Sequence, residues 1–170
     1  MPERGLELSV VFPDDQIEKL LREPKPLPGE YRARLSLRQK RGHRVQDMRV
    51  QGAEGHEFHI LLRQSSADPL DFSVILGVTV PGTNRVFRLR RYNGKSHRHS
   101  NRLEGEPPFY DFHIHCATRR YQESGSDEEA YAERTDRFAD LSGALNCLLA
   151  DCGFILPTGE QLALFQGRAE

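Results

Sequence analysis

The side chains best equipped for chemistry in this chain are its histidines. Four of the seven lie between Arg90 and Tyr121, as two His-x-His pairs, His97/His99 and His113/His115. Imidazole titrates nearest neutrality of any side chain and is also a common ligand for transition metals. Two chemistries therefore compete for the same residues. In the first, His97, His99, His113 and His115 act as general acid and base in phosphodiester cleavage. Arginines such as Arg88, Arg90 and Arg119 would then offset developing negative charge. In the second, His113 and His115, joined by Asp111 one step away and by His97/His99 from the loop, supply three or four N and O ligands to zinc or manganese. Tyr92 and Tyr121 could stack a base or donate a proton, and Asn101 could orient an imidazole.

These groups need a scaffold, and the segment Phe109 to Cys116 (FYDFHIHC) suggests one. It alternates strictly and carries strand-favouring residues. On a strand, Phe109, Asp111, His113 and His115 would share one face at about 6.6 Å per two-residue step. Tyr110, Phe112, Ile114 and Cys116 would take the other. Asn93-Gly94 reads as a turn, and the polar run from Lys95 to Glu106 as a loop. His97 and His99 would then fold back over the edge of the strands that flank the loop.

Most of the preceding chain alternates in the same manner. Glu30–Arg38, Gln46–Gln51, Glu57–Gln64, Leu70–Val80 and Arg85–Tyr92 each read as strands joined by short turns. Short connections imply antiparallel pairing with one buried and one polar face. That polar face would collect Arg32, Arg34, Arg38, Arg49, Arg63, Arg88 and Arg90. Guanidinium forks suit phosphate or carboxylate. A short helix is expected over 13–22, ended by Pro24, Pro26 and Pro28. Two more are expected over about 128–152 and 159–166, the last introduced by a Thr158-to-Gln161 capping box. The expectation is one α+β domain over 1–170: an antiparallel meander of five to seven strands spanning about 30–117, with helices packed on one face.

Composition narrows the classes. With 170 residues, 37% hydrophobic and 29% charged, the chain can bury a core and is not of disordered type. It holds no apolar run of transmembrane length. Its opening residues, MPERGLELSVVFPDD, hold no apolar stretch of signal-peptide length, so the expected home is the cytoplasm. Three cysteines make a sparse, odd set, expected as reduced thiols. Basic residues outnumber acidic ones between Glu30 and Arg120, while acids gather in the first helix and after Gln122. A basic middle of this kind can mark a polyanion-binding face. No GxGxxG, P-loop, GxSxG or HExxH motif occurs. His43, His56 and His59 read as surface or hydrogen-bonded histidines rather than ligands.

RYNGKSHRHSN together with FHIHCATRRYQESGSDEEAYA resembles an uncharacterised family of small prokaryotic domains, a domain of unknown function. The resemblance covers Leu70 to about Leu149. It implies a bacterial or archaeal origin, and it carries no activity and no site residues with it. The functional expectation thus comes from the residues alone. A His- and Arg-bearing sheet face binds a phosphate-containing ligand, RNA or DNA foremost, with phosphodiester hydrolysis in prospect and zinc or manganese as the candidate cofactor. The alternative is a non-catalytic binding or structural module whose polar face is simply solvated.

Overall fold

The computed structural model describes residues 11–158. The elements run α1 (Asp14–Arg22), β1 (Lys25–Pro26), α2 (Tyr31–Arg34), β2 (Arg38–Lys40), β3 (His43–Gln51), β4 (Glu57–Ser65), β5 (Phe72–Thr79), β6 (Val86–Asn93), β7 (His113–Cys116), α3 (Arg119–Glu123), β8 (Tyr131–Arg134), α4 (Leu141–Asp151) and β9 (Phe154–Ile155). Strands β2 to β8 form one antiparallel seven-stranded sheet in chain order, the α+β meander that the alternation implies. β1 and β9 pair in parallel as a separate two-stranded ribbon.

Most of the apolar side chains of β3 to β7 point to one side. Met48, Val50, Phe58, Ile60, Leu62, Val74, Leu76, Val78, Phe87, Leu89, Tyr92 and Ile114 are all buried there, under Ile17, Leu20 and Leu21 of α1 and Ala144, Leu148 and Leu149 of α4. α1 starts with Asp14 and Asp15 and finishes with Lys19 and Arg22, as the helix dipole favours. α4 is capped by Asp140, whose Oδ1 accepts from the Gly143 amide at 2.7 Å. Among the described residues no helix is long and apolar enough to cross a membrane.

Two segments depart from the sequence expectation. Glu30–Arg38 is not a strand: Tyr31–Arg34 is a helical turn, and only Arg38 joins the sheet. Tyr31 and Leu35 lie on one side under either a two-residue or a four-residue period, so a short apolar set cannot separate the two. Here the Leu35 amide donates to the Tyr31 carbonyl at 2.9 Å and closes the turn. Arg32 and Arg34 consequently leave the proposed arginine face. The helix expected from 128 starts only at Leu141, because Tyr131–Arg134 is drawn into β8 by pairing with β7. Tertiary pairing overrides the helix-favouring composition of that stretch. The sheet therefore runs to Arg134, past the expected end near 117. The helix expected over 159–166 lies outside the described residues.

A third departure governs the site. Gly77 faces Arg88 while Leu76 faces Arg90, so Leu89 is an extra residue in β6. Such a bulge reverses the alternation downstream of it. Arg90 and Tyr92 consequently face the core side, where the Tyr92 hydroxyl donates to Asp151 of α4 at 2.7 Å. Arg91 and Asn93 take the opposite side.

Candidate metal centre and its cleft

On that opposite side, β6, β7 and β8 bring Asn93, His113 and Arg134 abreast, and beside them Arg91, His115 and Ala132. The loop after β6 folds back over this patch, held by a two-way bridge between His99 and Phe109 (His99 N to Phe109 O 2.8 Å, Phe109 N to His99 O 2.9 Å). Gly94 starts this return. A Cβ there would lie 1.8 Å from the Leu70 carbonyl oxygen, so a glycine is needed for the close passage of β5's entry. The loop thereby carries His99 onto His113 and His115. Ring centroids are 5.2 Å apart for His99 and His113, 4.8 Å for His99 and His115, and 4.9 Å for His113 and His115. One nitrogen from each of the three lies within 4.8 Å of the others. His97 is exposed, its ring 5.5 Å from that of His113.

Hydrogen bonds assign the protons on all three rings. His113 Nδ1 lies 2.8 Å from the Asp111 carbonyl, and His115 Nδ1 2.8 Å from the Glu129 carbonyl. A carbonyl can only accept, so both Nδ1 atoms carry hydrogen and both Nε2 atoms keep a lone pair. His99 Nε2 lies 2.9 Å from Asn101 Oδ1. That amide cannot be reversed: Asn101 Nδ2 donates to the Ala132 carbonyl at 2.7 Å, and Oδ1 accepts from the Ala132 amide at 2.9 Å. His99 therefore donates through Nε2 and keeps its lone pair on Nδ1. Each imidazole spends one nitrogen on a fixed oxygen and leaves the other basic. This is the arrangement of metal-ligating histidines and their supporting partners.

Burial keeps the two strand histidines neutral. His113 is 0% and His115 7% exposed. Desolvation pulls His113 down to about 4, aided by His99, His97 and Arg91 and resisted by the bond to Asp111. His115 falls to about 2 for the same leading reason, with His113, His99 and Arg91 adding to it. Both rings are thus held in the neutral form at neutral pH. Ligation, which needs the neutral form, is favoured.

The fourth group around the two strand histidines is Asn93. Its Nδ2 lies 3.3 Å from His115 Nε2 and 3.5 Å from His113 Nε2, while its Oδ1 is buried without a hydrogen-bond partner. The sequence reading took Asn93-Gly94 for a turn and so missed it. Arg91 and Glu129 were missed as well. Arg91 and Glu129 form an ion pair, and Arg88 Nη1 approaches the same carboxylate oxygen at 3.2 Å. Burial pushes the Glu129 carboxyl up, against the opposing pull of Arg91 and Arg88. A cleft of about 290 Å³ opens beside His99 and His115, walled by Arg91, Arg102, Tyr121 and Glu129.

Several expected site residues stand elsewhere. The Asp111 carboxylate points away from the histidines, 57% exposed, to Arg134 at 3.6 Å; only its backbone oxygen serves the cluster, and His99 takes the third place. Arg90 and Tyr92 lie across the sheet, by the bulge described above. Arg119 is on the surface, with Glu123 at 2.7 Å, and its amide donates to Asp14. Arg88 is drawn to Asp127, Glu128 and Glu129. Tyr121 does line the cleft, its hydroxyl donating to Glu104. Arg49 and Arg63 are matched by Glu57 and Asp71 at 3.6 and 3.2 Å, so these arginines do not form one continuous basic face. His56 and His59 bond Glu23 and Thr79 instead of joining the cluster.

Comparison with protein-family models, with curated proteins and with solved structures gives no match.

Proposed function

We propose that His99, His113 and His115 hold a divalent transition metal, zinc or manganese, at the floor of the cleft, and that the site binds and hydrolyses a phosphate-containing ligand. The observation that carries this reading is the proton assignment. Each of the three imidazoles commits one N–H to a fixed oxygen and keeps the lone pair of its other nitrogen, and one nitrogen from each ring lies within 4.8 Å of the others. Two buried, neutral imidazoles and a third ring set against them have little reason to converge unless something electron-poor joins them. Three nitrogen ligands with a cleft alongside match the donor set of hydrolytic zinc sites, which keep one position open.

A metal in such a site lowers the pKa of bound water and stabilises charge developing on a phosphoryl oxygen. The chain's own groups do the rest. Arg102 reaches over the cleft and is steadied by Ser126 Oγ at 2.8 Å, which leaves it able to meet an anionic oxygen. Arg91 neutralises Glu129, so the carboxylate in the wall does not repel an anion. The cleft volume is near the lower end for ligand sites, which suits one phosphoryl group with its adjoining sugar or alcohol, not a duplex. For RNA or DNA this favours a single strand or a chain end.

The test begins with metal content of the purified protein and calorimetric titration with zinc and manganese. One equivalent should bind, and His99→Ala, His113→Ala and His115→Ala should each weaken binding at least about a hundredfold. Cleavage of an aryl phosphodiester or short RNA should require the metal and stop in chelator. Failure of the unaltered protein to take up either metal would overturn the reading, as would uptake that survives His113→Ala. Cleavage that persists in chelator would instead return the case to metal-free acid–base chemistry.

A further inference from the structure

We infer that the Asn93 side-chain oxygen is the fourth protein ligand of this centre, and that the amide turns over when the metal arrives. The inference rests on the three-histidine reading above and adds to it. In a tetrahedral zinc site with bonds of about 2.0 to 2.1 Å, neighbouring ligand atoms stand about 3.3 Å apart. The Asn93 amide nitrogen lies 3.3 Å from His115 Nε2 and 3.5 Å from His113 Nε2. The end of this side chain therefore stands from both imidazole nitrogens at about the spacing of neighbouring ligands. It is 4% exposed, so water does not compete for the place.

The orientation of the amide follows from what the site contains. Without a cation, two imidazole lone pairs face the Asn93 side chain, and only its NH2 end can meet them attractively. A carbonyl turned the same way would set lone pair against lone pair. With a cation between the groups the preference inverts, because the metal needs an oxygen and repels an N–H. A half-turn about the Cβ–Cγ bond exchanges the two ends. That turn sacrifices only contacts of 3.3 and 3.5 Å, and on the far side the Oδ1 position has no hydrogen-bond partner to lose. The unpartnered oxygen in a buried amide is otherwise hard to account for, since buried polar atoms are nearly always matched. With His99 borne on a loop and the other two ligands on β7, closure of the set falls to the loop. With four protein ligands in place, the position open to an added water or substrate oxygen would be a fifth one, reached from the cleft side by His99 and His115.

The experiment compares the unaltered protein with Asn93→Ala and Asn93→Asp, using cobalt(II) and zinc as the probes. Each variant is first melted in chelator to establish that it folds. Asn93→Ala should weaken zinc binding by at least about tenfold, with loss of intensity in the cobalt ligand-field bands. Asn93→Asp should bind at least as tightly as the unaltered protein, because a carboxylate keeps the ligating oxygen and adds charge. A residue whose task was only to donate N–H to the histidines would behave oppositely, since aspartate at neutral pH donates nothing. Asparagine is therefore not the ligand if Asn93→Ala keeps affinity and spectrum, or if Asn93→Asp binds as weakly as Asn93→Ala. Should neither variant fold, the Asn93 side-chain carbonyl 13C resonance of the unaltered protein decides: it must move at one equivalent of zinc, and a stationary signal overturns the inference. If the unaltered protein binds no metal at all, the three-histidine reading falls too, whereas loss of this inference alone leaves zinc bound by the histidines.

Discussion

Two of the polar knots buried among the described residues are finished to different degrees. One is Lys25, fully enclosed between α1, α4 and the sheet. Its ammonium donates to the carbonyls of Leu20 at 2.8 Å, Leu21 at 3.1 Å, Glu23 at 2.9 Å and Cys152 at 2.7 Å, and lies 4.3 Å from the Phe58 ring centroid. Those carbonyls belong to the ends of α1 and α4, which no further helical turn can satisfy. Burial pulls the Lys25 ammonium down to about 8, which leaves it charged at neutral pH. Every proton it owns has an acceptor. The other knot is the histidine cluster, where each ring gives an N–H to a fixed oxygen but the Nε2 atoms of His113 and His115 meet the Asn93 amide only at 3.5 and 3.3 Å. A group whose hydrogen-bonding capacity is used up is holding the fold together. One with basic capacity left over is waiting for something the chain does not provide.

Removing the finished knot should have the largest effect. Lys25→Met keeps much of the stem's volume but strands four buried carbonyls at the helix ends. Chemical denaturation of the metal-free protein should show a loss of about 3 kcal/mol or more, with zinc affinity of the folded protein unchanged. A loss below about 1 kcal/mol would mean that Lys25 does not secure the two helix ends, and the contrast between the knots would fail on that side.

The unfinished knot should reveal itself through pH. His113 and His115 have folded-state pKa values near 4 and 2, below the usual 6.5. Between those limits the unfolded chain binds protons that the folded chain refuses, so stability rises with pH and is lost as pH falls below about 6.5. The slope approaches 1.4 kcal/mol per pH unit for each group, as an order-of-magnitude figure of about that size. Zinc should steepen the acid sensitivity, because protons then compete with the metal as well. Urea titrations at stepped pH check this. A stability curve flat between pH 6.5 and 5, without metal, would show that the imidazoles are not held neutral by the fold.

How much of this could be read from residue order divides along the same line. The meander was legible because β3, β4 and β5 alternate cleanly and their turns are short. The His-x-His pair was legible as two side chains on one face of β7, and Asn101 as a group able to orient an imidazole. What stayed hidden was set by local breaks in regular periodicity. VFRLRRYN fits no two-residue alternation throughout, and that misfit is the one trace of the bulge at Leu89. Read without it, Arg90 and Tyr92 fall on the histidine side, while Arg91 and Asn93 fall away from it. Likewise Glu129 precedes a strand whose sequence favours a helix, so nothing local says that its carbonyl will hold His115. Partners supplied by tertiary pairing have no signature in spacing.

The smallest effect tests the edge of the cluster. The sequence pairs Asp111 with His113 and His115 as a third metal ligand, whereas the structure uses only its backbone oxygen. Its carboxylate is more than half exposed and meets Arg134 at 3.6 Å, an ion pair of the kind that contributes little in water. Asp111→Asn leaves the backbone carbonyl, and hence the His113 proton, where it was. Thermal denaturation should register a change within about 0.5 kcal/mol, and zinc affinity should stay within about twofold of the unaltered protein. A ligand lost from the centre would instead weaken binding by at least about a hundredfold. That gap is wide enough for one titration to decide whether the cluster ends at three imidazoles and an amide or reaches out to this carboxylate.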